Sequence, residues 1–300
     1  MKPVVAIHGG AGQWRIEEQH RQHVLKILAD AIVEGLLAAE RGSALDAVVV
    51  AVEYMERSGV FNAGYGSVYA VDGKIYMDAG VMDGRVKKAG AVAAVDGVKS
   101  AVRLARYILE NTDHVIISGE GAKLLAAKAG LLDHGHKFYT EEKNKRFHEV
   151  LQEARQGKWY YKKIEFAGDT VGAVALDRDG NVAAATSTGG VWLKWPGRIG
   201  DSPIPGAGFW AENGVGAFSA TGVGEIIIMS ALSLRARDEL LKTGAVATAL
   251  EIVVRRVTEI HGLDTVGIIG IDSRGSPAYA YNTKGMARGW GKRDEIYVDI

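Results

Sequence analysis

The chain has 300 residues, 47% of them hydrophobic and 24% charged, which allows one large domain or two small ones around a sizeable core. Lys plus Arg and Asp plus Glu both number 36, and the zero formal net charge removes the main electrostatic argument for nucleic acid as a partner. There is no cysteine, so disulfides, thiolate catalysis and Cys-bound zinc or iron–sulfur sites are excluded.

The opening MKPVVAIHGG is too short an apolar run for a signal peptide, and no run reaches the length of a membrane span, so a cytoplasmic location is expected. PVVAIH (3–8) reads as a buried strand ending at Gly9-Gly10-Ala11-Gly12. A long amphipathic helix is expected from about Ile16 to Glu40, closed by Gly42. Ser43 and Asp46 form a capping-box pattern that opens a second helix to about Arg57. FNAGYGS (61–67) is a glycine-rich loop, and SVYAVDGKIYMDAG (67–80) carries an Asp72-Gly73 hairpin turn. Helical patterns return near 98–111 and 120–130.

The composition shifts at His134. From there to Phe166 the chain is charged, poor in periodic apolar residues and dense in Lys and Arg, which reads as a solvated helix and linker. GDTVGAVALDRDGNVAAATSTGG (168–190) reads as two strands with a turn at Arg178-Asp179-Gly180-Asn181. A glycine-rich stretch (196–224) precedes helices near 225–242 and 245–261, and the chain closes with strands at 265–272 and 277–282. No internal repeat is evident. Strand pairs alternate with helix pairs, so the class is α+β with largely antiparallel strands.

HGGAG (8–12) suits an anion-binding or oxyanion loop, or a turn that simply needs glycine; it lacks the third glycine of a dinucleotide fingerprint. The eight histidines are scattered, His134 and His136 among them in the charged segment. Without H-E-x-x-H, G-x-S-x-G or a Walker A pattern, a histidine-bound metal, an α/β-hydrolase serine and a P-loop nucleotidase are all disfavoured.

The threonines remain. Thr170 opens the hairpin, and Thr186 and Thr188 end its return strand, where apolar strands need no hydroxyls. A threonine hydroxyl is a poor nucleophile without a neighbouring base. A free α-amino group, with a reference pKa of about 7.7–8.0, would serve. Thr170 gains one only if the Asp169–Thr170 bond is cut, and the charged segment before it suits a tail that need not pack. The alternative is that Thr170 merely begins a strand. TSTGG (186–190), PGRIGDSPIPGAG (196–208) and SATGVGE (219–225) have the glycine density that lets backbone N–H groups approach a small ligand. Arg198 offers a fork for a carboxylate and Asp201 a charge for an ammonium, so together they would read a zwitterionic amino acid; alone they also read as a surface ion pair.

Six motifs in order – HGGAG, FNAGYGSV, DTVGAVALD, ATSTGG, GRIGDSP and ATGVGE – make the chain resemble, nearly end to end, the plant-type asparaginase and isoaspartyl dipeptidase branch of the amino-terminal nucleophile hydrolases. Each motif is weak alone; six in order are highly specific. The resemblance implies one hydrolase domain, 1–300, built as a four-layer αββα sandwich and cut into 1–169, with the charged linker at about 134–166, and 170–300. It implies Thr170 as nucleophile, Thr188 as support for its hydroxyl and amine, Thr221 with the Gly222 N–H as oxyanion hole, and Asn62 as a contact from the other fragment. Arg198 would hold the substrate's α-carboxylate, and Asp201 with the Gly222–Gly224 stretch its α-amine; the Gly9-Gly10 turn would lie near the cleaved bond. It also implies a structural sodium ion on the backbone carbonyls of Met55, Glu56, Ser58, Phe61, Ala63 and Tyr65, and no cofactor for catalysis. The expected partners are L-asparagine or isoaspartyl dipeptides and a second processed heterodimer, with no nucleic acid or membrane. In one respect the chain departs from the pattern. Many asparaginase-branch members have glycine before the threonine, where this chain has Asp169, as the related glycosylasparaginases do. A glycosylasparaginase-like amidase and a non-processing, small-molecule-binding relative are therefore the alternatives.

Overall fold

The computed structural model describes residues 1–14, 16–133, 138–158, 170–293 and 295–300. His134, His136 and Asp169 lie outside the described residues, as do 134–137 and 159–166 of the charged segment. In chain order the elements are β1 (Val4–Gly12), α1 (Glu18–Arg41), α2 (Ala44–Ser58), β2 (Met77–Asp83), β3 (Lys88–Val95), α3 (Ala101–Asn111), β4 (Ile116–Ser118), α4 (Gly119–Lys128) and α5 (Glu141–Glu153). There follow β5 (Val171–Leu176), β6 (Val182–Thr188), β7 (Phe209–Glu212), β8 (Gly216–Gly222), α6 (Gly224–Ser230), α7 (Leu232–Thr243), α8 (Val246–His261), β9 (Val266–Asp272), β10 (Pro277–Tyr281), β11 (Gly285–Lys292) and β12 (Glu295–Asp299).

The strands form an eight-stranded sheet, β12-β11-β1-β5-β6-β2-β3-β4, and a four-stranded sheet, β10-β9-β8-β7. Among the described residues every strand pairing is antiparallel except β3 with β4. The expected α+β class with largely antiparallel strands is what forms.

Side-chain alternation along each strand sorts the interior into three cores. Val5, Ile7, Val171, Ala173, Ala183 and Ala185 face one way, into a core shared with α1, α2 and α3. Val4, Ala6, Val174, Leu176, Val182 and Ala184 face the other way, against Phe209, Ala211, Ala217 and Ile271 of the smaller sheet. The opposite face of the smaller sheet, with Phe218 and Ala220, packs on Ala236, Leu240, Leu250 and Val253 of α7 and α8. At Gly80 in β2 a side chain would sit 2.1 Å from the Phe209 ring, so the glycine makes the slot that this ring fills.

Local signals work where they are self-contained. The Ser43–Asp46 capping box is present, with each side chain accepting from the other's backbone N–H, and α1 ends where Gly42 donates to the Ala38 carbonyl. The Asp177 carboxylate ties the β5–β6 turn by accepting from the N–H groups of Asp179 and Asn181.

Other readings need correction. β1 does not stop at His8 but runs through the glycines to Gly12, with a bulge between His8 and Ala11 that pairing with β11 accommodates. The Asp72-Gly73 turn exists, yet its flanks form no hairpin ladder: the Val71 N–H donates to the Lys194 carbonyl and the Leu193 N–H to that of Tyr69. The single helix expected near 225–242 is two, broken at Ala231 with φ of 45°. β3, β4, β7, β8, β11 and β12 answer to no strand expected from the sequence, β7 and β8 lying in the glycine-rich stretch; β11, GMARGWGK, carries three glycines and two cations and takes its strand conformation from ladders to β1 and β12. Within the charged segment, α5 is anchored rather than free. The Tyr69 ring, itself buried, meets Phe147 at 5.3 Å and Tyr139 at 5.7 Å, and its hydroxyl donates to Asn144 Oδ1 at 2.7 Å.

Phe209→Ala empties the slot between the sheets and is expected to cost about 3–5 kcal/mol. Urea unfolding of the variant against the parent measures it, and an unchanged midpoint would show that the two sheets are not held together there.

Candidate active site

The even-numbered face of β5 and β6 is apolar at the turn end and becomes polar at the other. Past Val174 and Ala184 it carries Gly172, Thr186, Thr188 and, in the residue before β5, Thr170. Val171 pairs with Ser187, so Thr170 and Thr188 fall opposite each other. The Thr170 hydroxyl donates to Thr188 Oγ1 at 3.1 Å, and Thr188 Oγ1 also accepts from the Gly190 N–H at 3.0 Å. Both threonines are buried. Thr186, one step along the same face, donates to the Ser202 carbonyl at 2.6 Å and so seats the 198–202 loop on the strand.

His8 lies beneath Thr170. The Thr170 carbonyl can only accept, so His8 Nδ1 carries the proton and donates to it at 3.0 Å. His8 Nε2 then accepts from the Ser219 hydroxyl of β8 at 2.9 Å, which joins the two sheets under the nucleophile candidate. Only glycine fits at 172, because a Cβ would lie 2.1 Å from Ser219 Oγ and 2.3 Å from His8 Nε2. Burial holds the imidazole neutral and pushes its pKa down to about 3, against the opposing effect of the Thr170 carbonyl. Ala217, Ser219 and Thr221 alternate onto the same face of β8, so Thr221 faces the larger sheet with Ser219; it is fully buried.

Asn62 is a clamp on the turn after Thr188. Its Nδ2 donates to the Gly190 carbonyl at 2.6 Å, its Oδ1 accepts from the Val68 N–H at 3.0 Å, and its own carbonyl accepts from the Gly189 N–H at 2.8 Å. Behind β6, Ser187 points the opposite way and donates to the buried Glu56 carboxylate, which also accepts from the Ser100 hydroxyl and the Val102 N–H. Burial raises the Glu56 pKa to about 7, with the three donors acting against it. Gly9 lies in β1 against the Phe61 ring, and Gly10, with φ of 109°, accepts on its carbonyl from the Trp14 indole.

Arg198, Asp201 and Gly224 converge. A Cβ at Gly224 would meet an Arg198 guanidinium nitrogen at 2.9 Å and Asp201 Oδ1 at 3.0 Å, so the start of α6 approaches both opposite charges more closely than a side chain would allow. Asp201 Oδ2 is buried with no partner among the described residues. Burial pushes the Asp201 pKa up to about 7, opposed by its own backbone N–H and by Arg198. Arg198 also pairs with Glu225 at 2.8 Å, and this carboxylate is half exposed. The arrangement sets a cation and an unsatisfied carboxylate side by side against α6, charges of the kind that the α-carboxylate and α-ammonium of a free amino acid could complement.

In the 55–67 loop, Met55 O accepts from the Ser58 hydroxyl, Phe61 O from the Ala63 N–H and Ala63 O from the Gly66 N–H. The Lys143 ammonium donates to Tyr65 O at 2.8 Å and Ser67 O at 3.2 Å, and burial lowers its pKa to about 8. Backbone carbonyl oxygens are the neutral ligand type that hard cations take, and those of Tyr65 and Ser67 already meet a cation in Lys143. Among the described residues no cluster of His, Asp or Glu could hold a metal ion.

The structure thus brings together Thr170, Thr188 and Asn62 around one turn, and Arg198, Asp201 and Gly224 around another. His8 and Ser219 were missed as site residues, although the strand period places Ser219 two positions before Thr221 on one face. Over residues 1–299 the sequence matches the family model Asparaginase_2, described as asparaginase. The chain belongs to this family. It is 65% identical over 296 residues to the plant-type L-asparaginase of Pyrobaculum calidifontis, with 99% of each chain covered. It is 41% identical over 303 residues to the isoaspartyl peptidase of Escherichia coli, covering 97% of this chain and 93% of that one. To the isoaspartyl peptidase/L-asparaginase of Homo sapiens it is 44% identical over 230 residues, 76% of this chain and 73% of the other.

His8 gives the site a pH signature. Its folded pKa of about 3 lies below the ordinary 6.5, so the stability from keeping it neutral is complete above pH 6.5 and is lost as pH falls toward 3. His8→Gln, which does not titrate, should show a shallower loss of urea midpoint across that window. Equal slopes in variant and parent would mean that His8 is not held neutral.

Proposed function

We propose that the protein is a self-processing threonine hydrolase that cleaves β-aspartyl amide bonds, converting L-asparagine to aspartate and ammonia and hydrolysing isoaspartyl dipeptides. The observation that carries this reading is the Thr170–Thr188 hydroxyl pair, 3.1 Å apart, in a chain whose relatives bear asparaginase and isoaspartyl peptidase names.

In the maturation step, the Thr170 hydroxyl attacks the Asp169 carbonyl, the acyl group moves from nitrogen to oxygen, and water hydrolyses the ester. The released Thr170 amine is then the general base. In turnover the same hydroxyl attacks the substrate's β-carbonyl, with Thr221 and the Gly222 N–H donating to the oxyanion. Ammonia or an amino acid leaves with the proton taken from the threonine, and water hydrolyses the β-aspartyl ester. Thr188 holds the nucleophile's hydroxyl, and Asn62 holds the turn that supplies Gly190. Arg198 binds the α-carboxylate, while Asp201 and the Gly224 region bind the α-ammonium.

Two face-to-face sheets, each backed by helices, support reading the fold as the four-layer αββα sandwich of amino-terminal nucleophile hydrolases. No helix among the described residues is long and apolar enough to cross a membrane, in keeping with a cytoplasmic enzyme. The processed heterodimer would pair into a homodimer, and catalysis needs no cofactor. A sodium ion on the carbonyls of Met55, Glu56, Ser58, Phe61, Ala63 and Tyr65 would be structural. The melting temperature should then fall when sodium is replaced by choline; identical melting in both would remove the ion.

Intact mass under denaturing conditions, followed by ammonia release from asparagine, tests the enzyme itself. The parent should give fragments 1–169 and 170–300 and release ammonia, and Thr170→Ala should do neither. Arg198→Ala should still process but show a KM for asparagine raised about tenfold or more, from loss of a charge-assisted pair. An uncut parent with no turnover would instead favour a non-processing, small-molecule-binding relative, and normal kinetics in Arg198→Ala would remove that residue's assignment.

A further inference from the structure

The row that begins at Thr170 does not end at Thr188. One strand further, Asp78 of β2 stands directly opposite Thr188 in the β2–β6 register. Cross-strand partners share a face, so Thr170, Thr188 and Asp78 form a line of three polar side chains across three strands. Met82, on that face of β2, packs in the core between the sheets. Asp78 is completely buried.

Its contacts lead to both halves of the site. Asp78 Oδ1 accepts from the Ala94 N–H at 2.7 Å. Asp78 Oδ2 accepts from the Gly200 N–H at 3.4 Å, and Gly200 lies between Arg198 and Asp201. The same oxygen is 3.9 Å from Lys194 Nζ, whose side chain is also fully buried. Lys194 Nζ donates to the Tyr76 carbonyl at 2.6 Å. Lys194 also packs against the turn that holds Thr188: its Nζ and Cδ lie 2.8 and 2.9 Å from where a Cβ would stand on Gly190. That glycine has φ of 78°, and its N–H is the donor to Thr188 Oγ1.

We propose that Asp78 and Lys194 are a positioning pair, outside the substrate's reach, that sets the Thr188–Gly190 turn and the Arg198–Asp201 loop at a fixed distance from each other. The inference rests on the function proposed above. A β-aspartyl substrate is held at its α-carbon end and attacked at its β-carbonyl, so the spacing between anchor and nucleophile decides whether attack geometry is reached. A buried ion pair adds little net stability over apolar residues of the same size. What apolar residues could not supply is an acceptor for Gly200 and Ala94 and a donor for Tyr76. The two charges cancel, so the pair does this without leaving a net charge beside Arg198 and Asp201. Burial lowers the Lys194 pKa and the Asp78 charge opposes that shift, as expected of mutually compensating groups.

The test uses the processed full chain carrying Lys194→Met, Asp78→Asn, and both together. Lys194→Met leaves a buried carboxylate uncompensated and should lower both the melting temperature and kcat/KM for asparagine. The double variant restores charge balance and should recover most of the melting temperature. Its kcat/KM should stay depressed by about tenfold to a hundredfold, with KM raised, because the loop and the turn are no longer tied. A double variant with parental KM and kcat would reduce the pair to structural charge balance and overturn the proposal. If the double variant is not recovered folded, the isosteric Asp78→Asn decides: a raised KM supports the proposal and parental kinetics overturn it. Parent activity is measured in parallel. An inactive parent would remove the asparaginase reading, whereas an active parent with unchanged variants would remove only the pair.

Discussion

β5 and β6 are buried on both faces along their whole length, and the site depends on how that constraint is met. Each residue must satisfy one of two interiors, and a shift of register by one would exchange them. On the odd face Val171, Ala173, Ala183 and Ala185 meet helices, and Ser187 meets the Glu56 carboxylate. On the even face the apolar run of Val174, Leu176, Val182 and Ala184 gives way to Thr170, Thr186 and Thr188. The hydroxyls of Thr170 and Thr188 are therefore locked opposite each other by every other contact of the hairpin. That is how paired strands can hold two hydroxyls more tightly than a loop could.

The buried ionisable groups around this hairpin show one force with several outcomes. Desolvation disfavours charge wherever it acts. At His8 it leaves a neutral ring with one donor and one acceptor, and both are used, by the Thr170 carbonyl and Ser219. At Glu56 three donors compete with burial but do not overcome it. At Asp201 one oxygen has no partner among the described residues, which makes it the group with most to gain from an arriving ammonium. Lys194 and Asp78 avoid that position by facing each other. Among these ionisable groups, His8, Glu56, Lys194 and Asp78 have partners for their polar atoms, and Asp201 keeps one oxygen without any among the described residues.

The charged segment upstream of Thr170 is more than a tether. Its described part includes α5, docked through Asn144 and Phe147 on Tyr69 and through Lys143 on the carbonyls of the glycine-rich loop. That loop also contains Asn62, which clamps the turn after Thr188. The segment that precedes Thr170 and the turn that follows Thr188 are thus connected through one loop.

Several parts of this arrangement are legible in the sequence because their cause is local. The capping box of α2, the stop of α1 at Gly42 and the turn of the β5–β6 hairpin all involve residues within a few positions of one another, so spacing alone reveals them. The six ordered motifs likewise carry the family. β11 and β12 escaped notice because their strand conformation comes from ladders that begin at β1, nearly 280 residues away, and glycine-rich GMARGWGK has little strand preference of its own. The burial of Lys194, the clamp made by Asn62 and the link from His8 to Ser219 were equally out of reach. Each is a contact between residues more than a hundred positions apart, chosen by which elements face which. The sequence by itself determined which residue types were available for chemistry and where α1, α2 and the central hairpin begin and end, since these follow from neighbours along the chain. Only the tertiary structure decided which hydroxyls, charges and carbonyls meet, since that depends on strand register and on the packing of two sheets.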